Sequence, residues 1–131
     1  MKKILTKKNL LIFTFLSLFS IFLFFFISSY YIAQTVKSDC RLITAQTKLN
    51  CVSALISRVD NDQFDYQTRN HYIWLLGQLG DEKALIILKD LYTGNIPKKE
   101  PIDQGLSQHE LKKAINLIEK QNNLVKKIWN Y

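Results

Sequence analysis

At 131 residues the chain has room for one small domain. Four Gly and two Pro exclude a collagenous or linker-like polymer, and 12% aromatic residues exclude intrinsic disorder. The net charge of +7 is unevenly placed: Lys2, Lys3, Lys7 and Lys8 precede residue 10 with no acid among them, whereas fourteen basic and eleven acidic residues follow from Lys37 onward. The basic balance is therefore mostly a topology signal, and nucleic acid is not an expected partner.

Residues 10–27, LLIFTFLSLFSIFLFFFI, contain no charge, Pro or Gly. Eighteen residues of helix are about 27 Å long, close to a hydrocarbon core. Residues 28–33 can extend the run, with Tyr30 and Tyr31 suited to the interfacial aromatic belt. Thr14, Ser17 and Ser20 can bond back to helix carbonyls. A cleaved signal peptide has a shorter apolar region and small residues before its cut; here bulky Tyr31 lies two positions before Ala33. A lipoprotein cysteine needs small residues ahead of it, but Cys40 follows Lys37, Ser38 and Asp39. A buried core helix would have a polar face, which seven Phe in eighteen residues do not leave. The expectation is an uncleaved signal anchor over 10–33, with residues 1–9 as a cytoplasmic basic tail and the domain outside. Richness in Lys, Asn and Ile hints at an AT-rich bacterial genome and carries nothing further. From the anchor and the lysine placement, the expected location is a bacterial inner membrane with a periplasmic or extracellular domain.

Beyond Ala33 the apolar periods are helical. Leu49, Val52, Leu55, Ile56 and Val59 form one stripe. Tyr66, Ile73, Leu76 and Leu79 mark a second, and Ala84, Leu85, Leu88 and Leu91 a third. Leu111, Ala114, Ile115, Ile118, Val125 and Ile128 predict one long helix over 107–129. Gly80 and Asp81 read as a stop followed by a cap. Ser107 and Glu110 read as a capping box, with Leu106 and Leu111 at staple spacing. Residues 60–65 are a polar connector.

Residues 41–56 align with 71–86 at a period of thirty, with Ile43 over Ile73, Leu49 over Leu79 and residues 54–56 over 84–86. Within residues 68–88, Arg69, Gly77, Leu79, Gly80, Asp81, Ala84 and Leu88 resemble a HEAT-like repeat of the short phycobilisome-lyase type. That family has an early arginine, a leucine-glycine-x-leucine-glycine-aspartate turn, and alanine and leucine in its second helix. Gly77 lets the two helices approach, Gly80 turns the chain and Asp81 caps. Tyr72, Trp74 and Leu75 are bulkier than the usual alanines. Together with the apolar run and the stripe of the last helix, the resemblance, which is good for 61–92, weak for 41–60 and absent beyond, implies an all-α chain: a transmembrane helix, then over 34–131 a short α-solenoid of about two HEAT-like hairpins and a long C-terminal capping helix. Residues 34–60 would be a degenerate first repeat, 61–92 the second, 93–106 a loop and 107–129 the cap.

Cys40 and Cys51 are the two cysteines. In an oxidising compartment a disulfide is expected, with two free buried thiols as the alternative. On an ideal helix they lie about 15 Å apart, so bridging requires a short or broken first helix, for which 44–48 is the candidate break. His109 and Glu110 form one His-Glu pair of the kind found in HEAT-like hydroxylases; a di-iron set needs several, so no metal is expected. Asp60, Asp62 and Asp65 approach a calcium loop, but Phe64 and Asp65 occupy the positions needing an oxygen ligand and a glycine. No cofactor is expected.

The loop 93–106 is long for a helix connection. Pro97 and Pro101 stiffen it, and Lys98, Lys99 and Glu100 are expected to be exposed between them. It is either a recognition element or a spacer. Lys112, Lys113, Lys120, Lys126 and Lys127 read as a solvated face. The expected function is a non-enzymatic adaptor or accessory subunit that binds the bilayer through 10–33 and another envelope protein through Tyr92, Ile96, Lys98, Lys99, Glu100 and Trp129. The alternative is a ligand-binding or catalytic module of the lyase or hydroxylase kind, and a third is a subunit whose contact is the Phe-rich span itself.

Overall fold

The computed structural model describes residues 7–101 and 103–131; the first six residues, including Lys2 and Lys3 of the basic tail, and Ile102 of the loop lie outside the described residues. The described residues are all-α, with six helices: α1 (Lys7–Thr47), α2 (Cys51–Val59), α3 (Tyr66–Leu79), α4 (Leu85–Leu91, entered through a 3-10 turn at Glu82–Ala84), α5 (Gln108–Glu119) and α6 (Leu124–Trp129).

α1 is one unbroken helix of 41 residues, with no joint between the apolar segment and the domain. Neither Gly nor Pro falls within it, and Thr14, Ser29 and Thr35 satisfy their hydroxyls on carbonyls three or four residues back. Its first half is long and apolar enough to cross a membrane, and none of that apolar window is buried in the protein. Its second half carries a stripe of mostly small residues: Ser29, Ala33, Val36 and Ile43 are buried, and Cys40 falls on the same face. The packed face of the protein thus begins at Ser29, on the same helix that carries the long apolar run.

The expected break at 44–48 falls at the end of that stretch. α1 runs through Thr47, and Lys48 then turns the chain with φ 59. Residues 48–50 descend beside α1, so Cys51, the first residue of α2, meets Cys40 with their Cα atoms 5.1 Å apart and a disulfide between them. Asn50 caps α2 by accepting from the Ser53 N–H. At the far end of α2, Arg58 donates to Gln46 at 2.9 Å. Cys51 at the level of Cys40 and Arg58 within reach of Gln46 mean that α2 does not fold back antiparallel to α1. Residues 34–60 are thus not the hairpin expected from the thirty-residue alignment, because the disulfide sets the level of α2 on α1.

α3 then returns toward the apolar end of α1, and contributes Tyr72, Ile73, Leu75 and Leu76 to the core. Asp65 caps it: its carboxylate accepts from the Thr68 N–H and hydroxyl, and the Thr68 hydroxyl holds the Asp65 carboxyl below the usual carboxylate range. Gly80 ends α3 in the left-handed conformation, φ 61, and Asp81 caps the 3-10 turn. α5 runs in the same sense as α3, since Asn70 meets Ser107 near their starts and Gly77 meets Ala114 seven residues on. A Cβ on Gly77 would lie 2.8 Å from Ala114 Cα, so this glycine permits the approach of α3 to α5 rather than to α4.

The expected helix 107–129 is two helices. Lys120 ends α5, Gln121 takes φ 45, and Asn123 starts α6 by accepting from the Lys126 N–H. The buried Asn123 amide also donates to the Gln78 carbonyl and side chain at 2.8 and 3.1 Å. A polar KQNN stretch interrupts the apolar stripe there, and α6 turns onto α1. The capping box at Ser107 is half-formed: its hydroxyl accepts from the Glu110 N–H, but its own N–H donates to Asn70 Oδ1, leaving Glu110 to pair with Lys113.

Candidate functional site

Loop 93–106 has its backbone tied down at several points. Gln108 accepts at Oε1 from the Thr93 N–H (2.8 Å) and hydroxyl (3.0 Å), and its amide donates to the Leu91 carbonyl. Asn70 on α3 donates to the Gly105 carbonyl at 3.0 Å. Glu100 turns inward: it accepts from the Ser107 hydroxyl at 2.6 Å and from the Gln108 and His109 N–H groups at 2.8 and 3.3 Å. A carboxylate on the first N–H groups of α5 complements the partial positive charge of that helix end.

This corrects the expectation of three free charges between the prolines. Lys98 and Lys99 are exposed, but Glu100 is a half-buried cap that holds the loop to α5. Tyr92 is half-buried against the core, and Ile96 is half-buried with Pro97 and Lys98 along a shallow depression of about 360 Å³. The sixth expected contact, Trp129, lies elsewhere. Its ring stands edge-on to Phe26 and Tyr30 at 5.6 and 5.3 Å, and its indole N–H donates to Ser29 Oγ at 3.0 Å. Five expected contact residues share one region, and the sixth packs on α1 beside the apolar run.

A second depression, about 420 Å³, lies between α1, α2 and α3 and includes Asp39, Gln46, Arg58, Thr68, His71 and Tyr72. His71 Nε2 is 2.8 Å from Asp39 Oδ2, and its ring stacks on Trp74 at 5.5 Å and 19°. Arg58 donates to the Tyr72 hydroxyl at 3.3 Å and lies over the Phe64 ring. This grouping was invisible in the sequence, because Asp39 and His71 are 32 positions apart. The packing of α3 against α1 brings them together.

Arg69, the early arginine of the HEAT-like pattern, is 6% exposed; its Nε–H donates to the Val59 carbonyl at 2.7 Å and its Nη1 to Asp62 at 2.6 Å. It closes the end of α2 and orders the polar connector, a structural task. Asp62 thereby faces Arg69 rather than a shared centre with Asp60 and Asp65. Among the described residues no three His, Cys, Asp or Glu side chains gather in a metal-binding arrangement. His109 and Glu110 lie at the start of α5, where Ser107 and Glu100 cap the helix.

Compared with protein-family models, curated proteins and solved structures, the chain matches none. The HEAT-like resemblance of residues 68–88 accordingly rests on their own motif residues.

Proposed function

We propose that this chain is a single-pass anchored adaptor or accessory subunit of a bacterial inner membrane, whose helical domain on the periplasmic or extracellular side binds another envelope protein without catalysing a reaction. The observation that carries the reading is the loop 93–106. Fixing backbone costs about 1–2 kcal/mol per residue, and here Gln108, Asn70 and Glu100 hold the loop while Lys98 and Lys99 stay exposed. A loop held at both ends and at Glu100, presenting two exposed lysines, suits a partner with an acidic surface, because less ordering entropy remains to be lost on binding.

The other features agree with this setting. The Cys40–Cys51 disulfide fits an oxidising compartment. The lysines at the amino end favour a cytoplasmic amino terminus. The α3–α4 turn at Gly80 and Asp81, followed by α5 in the sense of α3, is the order of helices that a HEAT-like unit and its successor would have. Under that reading, solenoid character is confined to α3–α6, and the upper half of α1 covers one end.

Crosslinking in intact cells, followed by capture through a carboxy-terminal tag and mass spectrometry, tests the proposal. One reproducible envelope partner, lost in the Lys98→Ala/Lys99→Ala variant, is the expected result. Unchanged capture by that variant removes the loop from the interface. A second reading, binding of a small polar ligand, is favoured by the Asp39–His71 pair beside the 420 Å³ depression with Arg58. It predicts that His71→Ala, not the lysine pair, abolishes activity in cells.

A further inference from the structure

The root of the domain is more apolar than a water-facing surface should be. α6 packs on α1 where the uncharged run ends at Ile27: Trp129 touches Phe26 and Tyr30, which straddle that point and are about 6 Å apart along the helix. Between Trp129 and α1 lies a groove of about 700 Å³, lined by Phe22, Phe26, Ile27, Tyr30 and Tyr31. On α6 itself Leu124 and Ile128, one turn apart, are 58% and 46% exposed. Residues 120–131 contain Lys120, Lys126 and Lys127 and no acid. Lys126 is engaged with the Leu79 carbonyl, and Lys37 donates to the Trp129 carbonyl at 3.4 Å, which leaves Lys120 and Lys127 exposed.

We infer that this surface is a lipid-docking site: the acyl chain of a bilayer lipid fills the groove between Trp129 and α1, Leu124 and Ile128 enter the boundary between acyl chains and headgroups, and Lys120 and Lys127 meet anionic headgroups. The occupant follows from position and charge. The groove is continuous with the bare apolar half of α1, so in a membrane whatever surrounds the span also reaches Trp129. Trp and Tyr concentrate at that depth because the ring is apolar and the N–H or O–H is polar. Interfacial helices sink about 5–10 Å with apolar residues inward and lysines at the headgroups, which is the division found on α6. The inference rests on the reading of residues 10–33 as a span. It makes the domain a body docked on the membrane at two points, the span and α6, rather than one swinging on a tether. It also moves Trp129 from the protein-binding surface to the lipid-binding one.

The test uses the full chain in phosphatidylcholine vesicles, with and without phosphatidylglycerol. The Trp74→Phe variant leaves Trp129 as the single tryptophan. Alkaline carbonate washing first reports whether the chain is integral. Nitroxides placed shallow or deep on the acyl chain, and iodide in the water, then locate the indole. The expected result is an integral protein whose Trp129 emission is quenched about twofold more by the shallow nitroxide than by the deep one, with little effect of iodide. Lys120→Gln/Lys127→Gln should abolish any further gain from phosphatidylglycerol. An integral protein with iodide-quenched Trp129 overturns the docking site while the span reading stands. Trp129 shielded from every quencher also overturns it, assigning the groove to a protein segment or a second copy. Release by carbonate removes the span reading, and the inference with it. If Trp74→Phe does not fold, the unsubstituted chain carrying 5-fluorotryptophan gives the same answer by fluorine NMR, through paramagnetic broadening of one of two resonances.

Discussion

Gly77→Ala should lower the stability of the domain, against the usual effect of that substitution in a helix. In an open helix, alanine is favoured over glycine by about 0.5–1 kcal/mol. Here the new methyl would sit 2.8 Å from Ala114 Cα and 2.9 Å from its Cβ. Carbon atoms prefer about 3.5–4.0 Å, so α3 and α5 would have to separate by about 0.7 Å. The contacted atoms are backbone and Cβ, which cannot rotate away. α5 is also pinned beside α3 at both ends, by Asn70 to Ser107 and by Gln78 to Asn123 just beyond it. Overpacking of this kind costs about 1–3 kcal/mol. With the propensity gain subtracted, the net loss is about 1 kcal/mol, or about 4–8 °C in Tm for a domain of this size. Thermal unfolding of the full chain in detergent, followed by near-ultraviolet circular dichroism of the tryptophans, reads it. Gly105→Ala is the control, because a Cβ there meets nothing within 4 Å and φ is not positive; it should stabilise by about 0.4–1 kcal/mol. A Tm that is unchanged or raised in Gly77→Ala would refute the close-approach reasoning.

Reduction, or the Cys40→Ser/Cys51→Ser pair, should cost about 3 kcal/mol in the chain-entropy model; chemical denaturation with and without reductant measures it, and equal midpoints would show that the bond adds no stability. Arg69→Met keeps the packed stem but leaves the Val59 carbonyl without its donor, a loss of about 1–3 kcal/mol. Asp62→Asn should cost less than about 1 kcal/mol, because that carboxylate is 92% exposed; denaturant midpoints that reverse this order would contradict the assignment of Arg69 to the α2 carbonyl. Glu100→Ala should lower Tm while Lys98→Ala and Lys99→Ala leave it unchanged, since of these three Glu100 alone joins Ser107 in capping α5. Asp65 has a lowered pKa in the fold, so its cap stabilises above the unfolded-state value of 3.8 and is lost as pH falls through the folded value. The stability gap between the unsubstituted chain and Asp65→Ala should therefore be full at neutral pH and close in acid.

Local signals in the sequence were strong enough to be read directly. The uncharged run, the stop at Gly80, the caps at Asp81 and Ser107 and the polar connector each depend on a few adjacent residues, and each is present in the structure. Errors arose where a distant partner competes for the same group. Glu110 had the spacing to bond back to the Ser107 N–H, but Asn70, 37 positions away, takes it. Glu100 looked like an exposed loop charge, yet the first turn of α5 recruits it. Val125 and Ile128 continued the stripe of Leu111 and Ile118, and the break at 121–123 was nonetheless legible: two adjacent asparagines favour a cap over a helix interior. The path of α2 could not be read, because it depends on how far residues 48–50 descend after Lys48.

The uninterrupted α1 turns orientation into displacement. Under the reading of residues 10–33 as a span, it rises about 30 Å from Ile27 to Thr47, with no hinge to absorb an angle at the membrane surface. Spans of fixed apolar length tilt by about 20° on average and adjust that tilt to bilayer thickness. A rigid arm of this length would carry Thr47 about 10 Å sideways over such a change, and the disulfide-linked α2 with it. Rotation of the span about its own axis would likewise swing the Lys98–Lys99 loop around the membrane normal. Lateral pressure and membrane composition would thus be felt as a change in where the domain points.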